Sequence, residues 1–163
     1  MSASARGVRA VVAAAVLALL GACSLPWVVG GPGERVGEQV GSWSQANTDS
    51  WVDGIAPIAP VLLASQEQVE EWVAAHEGAA EAGVLEVLQA VDLSENVLVV
   101  GGYPRCQETS AVILVSETEV AFTVISGDEQ IACAWSPYTV DAWAVPLEQT
   151  DGEVPTLLTA EDG

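Results

Sequence analysis

The chain has 163 residues, 50% hydrophobic and 17% charged, and it sets 23 acidic residues against four basic ones for a formal net charge of −19. So few cations exclude nucleic acid as a partner, because that binding depends on Lys and Arg neutralising phosphates. The same deficit excludes direct adhesion to anionic lipid surfaces.

Arg6 and Arg9 form a short basic stretch, and an apolar run of eleven residues follows from Ala10 to Leu20. A spanning helix needs about 20 apolar residues, so the run is too short to cross a bilayer and has the length of a signal-peptide core. It ends at Leu20-Gly21-Ala22-Cys23. Leu, two small residues and Cys resemble the lipobox of bacterial lipoprotein precursors. The resemblance implies a signal peptide over residues 1–22, diacylglyceryl transfer to the Cys23 sulfur and cleavage between Ala22 and Cys23. The chain would then be extracytoplasmic and lipid-anchored at the cell membrane, each buried CH₂ of the anchor adding roughly 0.8 kcal/mol of membrane affinity. The alternatives are an ordinary secretory signal with an incidental Cys, or an uncleaved anchor. All acidic residues lie beyond residue 22, with only Arg35 and Arg105 to offset them, so the processed chain would carry a formal −21. Such a surface keeps an exported protein soluble. The alternative is a docking face for a basic partner or for divalent cations.

Residues 23–42 carry Gly30, Gly31, Pro32, Gly33, Gly37 and Gly41 without apolar periodicity. They read as a flexible tether, with a root-mean-square reach of ~25 Å. Trp43 and Trp51 open the packed domain, placed at 43–147. Pro57 and Pro60 predict an irregular, extended stretch, and Val61-Leu62-Leu63-Ala64 a short strand. Ser65-Gln66-Glu67-Gln68 is a capping box, Ser at N-cap and Gln three residues on. The helix it starts is expected to end near Glu77, with Gly78 just past it. Val69, Trp72, Val73 and His76 share its inner face. Ala79 to Ala90 predicts a second helix with Val84, Leu85 and Leu88 inward, weakened by Gly83.

From Asn96 the period changes. Val97-Leu98-Val99-Val100 reads as a buried strand ending at Gly101-Gly102. Ala111–Val115 and Val120–Ile125 read as a hairpin joined by Ser116-Glu117-Thr118-Glu119. Gly127-Asp128-Glu129-Gln130 reads as a turn, Ile131–Trp135 and Thr139–Val145 as two more strands, and residues 148–163 as an acidic tail. The expected class is α+β: a single domain with one or two N-terminal helices packed on an antiparallel sheet of about five strands.

With Cys23 acylated, Cys106 and Cys133 remain, and an oxidising compartment makes a disulfide between them the expectation. Closing a loop of that length contributes about 3.5 kcal/mol in the chain-entropy estimate. A nucleophilic Cys would want a nearby His, and the only one is His76.

Val91-Asp92-Leu93-Ser94-Glu95-Asn96-Val97-Leu98-Val99-Val100, the helix start at Ser65-Gln66-Glu67-Gln68 and Ser136-Pro137-Tyr138-Thr139-Val140 ending at Val145-Pro146 resemble PrcB-like domains over about residues 60–147. These are small α+β domains of exported and lipid-anchored bacterial proteins. The name-giving member is associated with stabilising a surface protease complex, so the resemblance implies a protein-binding module. Tyr103-Pro104-Arg105-Cys106 departs from the family's glycine-rich polar turn, and no family site residue transfers to a position here.

The chain has no G-x-S-x-G, P-loop, G-x-G-x-x-G or H-E-x-x-H motif. Asp128-Glu129 and Asp151-Gly152-Glu153 lack EF-hand spacing. The six Trp are dispersed, which reads as core and edge packing. The expectation is therefore a tethered binding or assembly module with an unidentified protein partner, no cofactor and no catalytic or metal residues. A cell-surface hydrolase of unrecognised type is the alternative.

Overall fold

The structure is a computed structural model that describes residues 33–47, 50–53, 57–126 and 132–159. Its strands are β1 (Glu34–Val36), β2 (Glu38–Ser44), β3 (Val61–Leu63), β4 (Asn96–Pro104), β5 (Thr109–Ser116), β6 (Glu119–Ile125), β7 (Tyr138–Pro146) and β8 (Thr156–Leu158). Two helices, α1 (Gln66–Ala74) and α2 (Val84–Gln89), lie between β3 and β4.

The strands form two four-stranded sheets, ordered β1-β5-β6-β8 and β2-β7-β4-β3. All pairs are antiparallel except β6 with β8. The sheet containing β4 is the middle layer, with the helices on one face and the other sheet on the opposite face. The apolar run of β4 shows why. A strand covered on both faces needs apolar residues at every position rather than at alternate ones. Leu98 and Val100 enter the core shared with Val69, Trp72 and Leu88 of the helices. Val97 and Val99 enter the core shared with Val112 and Val120 of the other sheet. All four are at most 1% exposed, and burying such a side chain contributes about 1.5–3 kcal/mol.

Gly37 carries the chain from one sheet to the other. Its φ is +75°, and a Cβ there would strike the Ala144 carbonyl oxygen. Its N–H donates to Gln149 Oε1 at 3.0 Å. Only glycine meets both demands.

The α+β class holds, with corrections to the expected plan. Among the described residues there are eight strands in two sheets, not about five in one, and three of them precede the helices. The stretch expected as tether supplies β1 and nearly all of β2, through residue 42. Its glycines mark a corner at Gly37 and a close approach at Gly41, where a Cβ would meet the Trp43 ring. The stretch expected as tail supplies β8. Ala132–Trp135 is irregular rather than a strand, while Ile131 and the turn at 127–130 lie outside the described residues.

The capping box forms in part. The Gln68 N–H donates to Ser65 Oγ at 3.3 Å, but the Gln68 side chain accepts from the Ala64 N–H, one residue before the cap. α1 ends at Ala74, before Glu77, and α2 begins only after Gly83, whose φ of +74° breaks the helical path. β4 does not stop at Gly101-Gly102. Phe122 covers Gly101 from the other sheet, with ring atoms 2.8–2.9 Å from where a Cβ would stand, and Tyr138 covers Gly102. The two glycines sit under rings rather than in a turn.

Candidate functional site

β2 has a bulge between Gln39 and Gly41. Its first residues lie next to the end of α2 and the turn that leads into β4. Between them runs a shallow groove of about 620 Å³, lined by Val40, Val87, Ala90, Val91 and Ala144 with Glu38, Gln39, Asp92 and Asn96. This volume is within the range of ligand sites.

The turn is built by Asp92. Its Oδ1 accepts from the Ser94 N–H at 2.9 Å and the Ser94 hydroxyl at 2.7 Å. Asn96 Nδ2 donates to the Asp92 carbonyl at 2.9 Å. The Ser94 hydroxyl, then its N–H, holds the Asp92 carboxyl below its ordinary range. An exposed, fixed and ionised carboxylate therefore stands beside an apolar floor.

A second constellation lies between the sheets. Asp141 in β7 is 1% exposed. Its Oδ2 accepts from the Tyr103 hydroxyl at 2.8 Å and the Ser110 hydroxyl at 2.6 Å. Trp143 Nε1 donates to Ser110 Oγ at 2.9 Å. Oδ1 of Asp141 is buried without a hydrogen-bond partner. Burial, then the Asp141 charge, raises the Tyr103 hydroxyl well above its ordinary pKa of 10.0. Tyr103 therefore stays a proton donor to Asp141 at any physiological pH. Four side chains from β4, β5 and β7 thus join into one buried network that ties the sheets together.

His76 lies just past α1. Its Nδ1 is 2.7 Å from the Trp72 carbonyl oxygen, and its ring lies 4.3 Å from that of Trp72. Trp72 meets Trp51 edge-on at 6.4 Å, and Trp51 meets Trp43 at 5.9 Å. His76 thus ends an aromatic row. Among the described residues, no group of three or more His, Cys, Asp or Glu is placed to hold a metal ion.

Cys106 and Cys133 are brought to disulfide-bonding distance, with Cα atoms 6.1 Å apart. They join the loop after β4 to the irregular segment before β7, where Trp135 stands 63% exposed. The Arg105 N–H donates to the Pro137 carbonyl at 2.8 Å and ties the same two segments. Glu108 Oε2 accepts from the N–H groups of Cys106 and Gln107. The Cys106 N–H, then Glu108's own N–H, keeps this carboxyl below its usual range. Cys23, the expected acylation site, lies outside the described residues.

Sequence reasoning missed both constellations. The groove draws on Glu38–Val40, which read as tether. The buried network had a signal that went unused: Asp141 interrupts the apolar run Val140 to Val145, and an acid inside such a run implies a partnered buried carboxylate. No protein-family model, no curated protein and no solved structure matches this chain.

Proposed function

We propose that this chain is an extracytoplasmic lipoprotein, anchored through Cys23, whose domain acts as a protein-binding or assembly module at the cell surface. The observation that carries the reading is the shallow groove beside α2, with its apolar floor and fixed acidic wall. The lipobox-like Leu20-Gly21-Ala22-Cys23 and the likeness to PrcB-like domains support it. So does the charge, because a strongly negative domain is held off an anionic bilayer and leaves its surface open to partners.

A hydrolase would need a nucleophile that substrate can reach. The exposed hydroxyls of Ser94 and Ser116 donate to carboxylates of their own turns, Asp92 and Glu119, while Ser110 is 7% exposed and is committed to Asp141 and Trp143. Its geometry suits fixing the sheets rather than attacking a substrate.

The test is chemical crosslinking on intact membranes with the anchored protein and its Val87→Arg variant. A discrete crosslinked partner is expected for the natural chain and not for the variant. Identical crosslinks from both would overturn the groove as the binding site. Separately, Cys23→Ser should leave an uncleaved precursor or release the protein from the lipid fraction. Unchanged size and unchanged detergent-phase partition would overturn the anchor.

A further inference from the structure

The groove beside α2 combines two properties that select a partner. Its apolar lining, the floor, is Val40, Val87, Ala90, Val91 and Ala144, and Gln39 and Asn96 add uncharged polar lining. Its charged wall residues, Glu38 and Asp92, are both acidic. The basic residues of the described chain, Arg35 and Arg105, do not line it. Each wall carboxylate therefore faces an occupant without a lining cation to neutralise it. Asp92 is also oriented in advance, since both bonds from Ser94 fall on Oδ1. A carboxylate already held in place loses less entropy when a cation docks on it.

We infer that this groove docks a cationic, partly apolar segment of a partner protein, with an apolar side chain on the valine floor and Lys or Arg side chains on Glu38 and Asp92. The inference rests on the binding-module reading and names the chemistry of the partner.

The charge of the whole domain acts in the same direction. A single-sign field steers an oppositely charged partner and raises its association rate, while apolar contact at the centre sets its residence time. A bare cation or a polyamine would use the walls and leave the floor wet. Strand addition to β2 fits less well, because the bulge between Gln39 and Gly41 interrupts the backbone ladder that an added strand would need. Side chains rather than main chain should carry the contact.

The experiment uses the full acylated protein in nanodiscs of zwitterionic lipid and a fluorescent peptide of alternating Lys and Val, read by anisotropy. The peptide should bind in low salt. Glu38→Gln with Asp92→Asn should weaken it about tenfold, as the loss of two ion pairs implies. Asparagine can keep the Asp92 turn, since its side chain accepts the same local bonds. Val91→Ser, which leaves every charge in place, should weaken it as well. Glu67→Gln with Glu71→Gln on α1 removes the same charge elsewhere and should leave binding within about twofold, as expected for distant screened charges.

Three results would overturn the inference. Both charge-removing pairs could weaken binding equally, which would mean diffuse attraction to an acidic surface. A Lys–Ser peptide, spermidine or calcium could compete as well as the Lys–Val peptide, which would mean that the floor contributes nothing. The Lys–Val peptide could fail to bind at all. If it fails while Val87→Arg still abolishes the membrane crosslink, the groove is an interface of other chemistry, and only this inference falls.

Discussion

Tyr103→Phe removes one oxygen from a chain whose Tyr103 is 3% exposed and whose Asp141 is 1% exposed. The lost bond, 2.8 Å to Oδ2, is one of two that serve this carboxylate, and Oδ1 has none. Hydrogen bonds to charged groups contribute about 1.5–3 kcal/mol, and a buried charge left short of donors falls toward the upper end. With a urea slope of about 1.5 kcal/mol/M, a loss of about 2.5 kcal/mol lowers the unfolding midpoint by roughly 1.7 M at constant slope. A double-mutant cycle isolates the bond. Asp141→Val replaces the carboxylate with an apolar residue suited to a strand, but leaves the Tyr103 hydroxyl buried without its acceptor. The double variant removes both partners, so it should be more stable than the sum of the single losses implies, with a coupling of about 1.5–3 kcal/mol. Urea melts of the four proteins, followed by tryptophan fluorescence, measure it. A coupling below about 0.5 kcal/mol, the usual scatter for independent sites, would refute the claim that the Tyr103–Asp141 bond stabilises the folded chain.

Alkali should act on the same residue. The Tyr103 pKa is raised in the folded chain by burial and the Asp141 charge, so its contribution is complete below the unfolded value of about 10 and is lost as pH rises toward the folded value. Stability should fall above about pH 10, and less steeply in Tyr103→Phe; Tyr138, raised by burial as well, keeps part of the slope. Cys106→Ser with Cys133→Ser opens a loop of sequence separation 27. That should cost about 3.5 kcal/mol, lowering the melting temperature by roughly 10–20 °C; two reactive thiols in the unreduced, denatured natural chain would refute the bond. Gly83→Ala meets open space and suffers only from its φ of +74°, so it should cost about 1 kcal/mol. Gly37→Ala adds a collision with the Ala144 carbonyl to a similar φ and should cost clearly more in the same melts; equal losses would contradict the corner geometry.

Local chemistry was legible wherever a residue's neighbours in sequence decide its state. Ser65 accepts from the Gln68 N–H because a cap is a four-residue event. The run Val97–Val100 is buried on both faces, as an uninterrupted apolar strand must be. The pairing of Cys106 with Cys133 was expected from an oxidising compartment with Cys23 acylated, and the structure brings the two to disulfide-bonding distance. None of this depends on where distant segments go.

Partnership across the chain was not legible. Glu34–Val36 is a strand because it pairs with Val112–Leu114, and Thr156–Leu158 because it pairs with Glu119–Ala121. Three-residue segments have no period of their own, so pairing alone makes them strands. Gly101 and Gly102 stay inside β4 because Phe122 and Tyr138 lie over them, although in sequence they look like a turn. Asp141 is tolerable inside only because Tyr103 and Ser110 arrive from two other strands, 38 and 31 residues away. The groove likewise joins Glu38, Asp92 and Ala144, which meet only after β2 has paired with β7 and β7 with β4. The sequence alone determined which segments could be strand, helix or cap, because those states follow from backbone preference and side-chain period over a few residues. Only the tertiary structure decided which acids are buried and which line a groove, because desolvation and hydrogen-bond supply depend on neighbours that the chain must fold to meet.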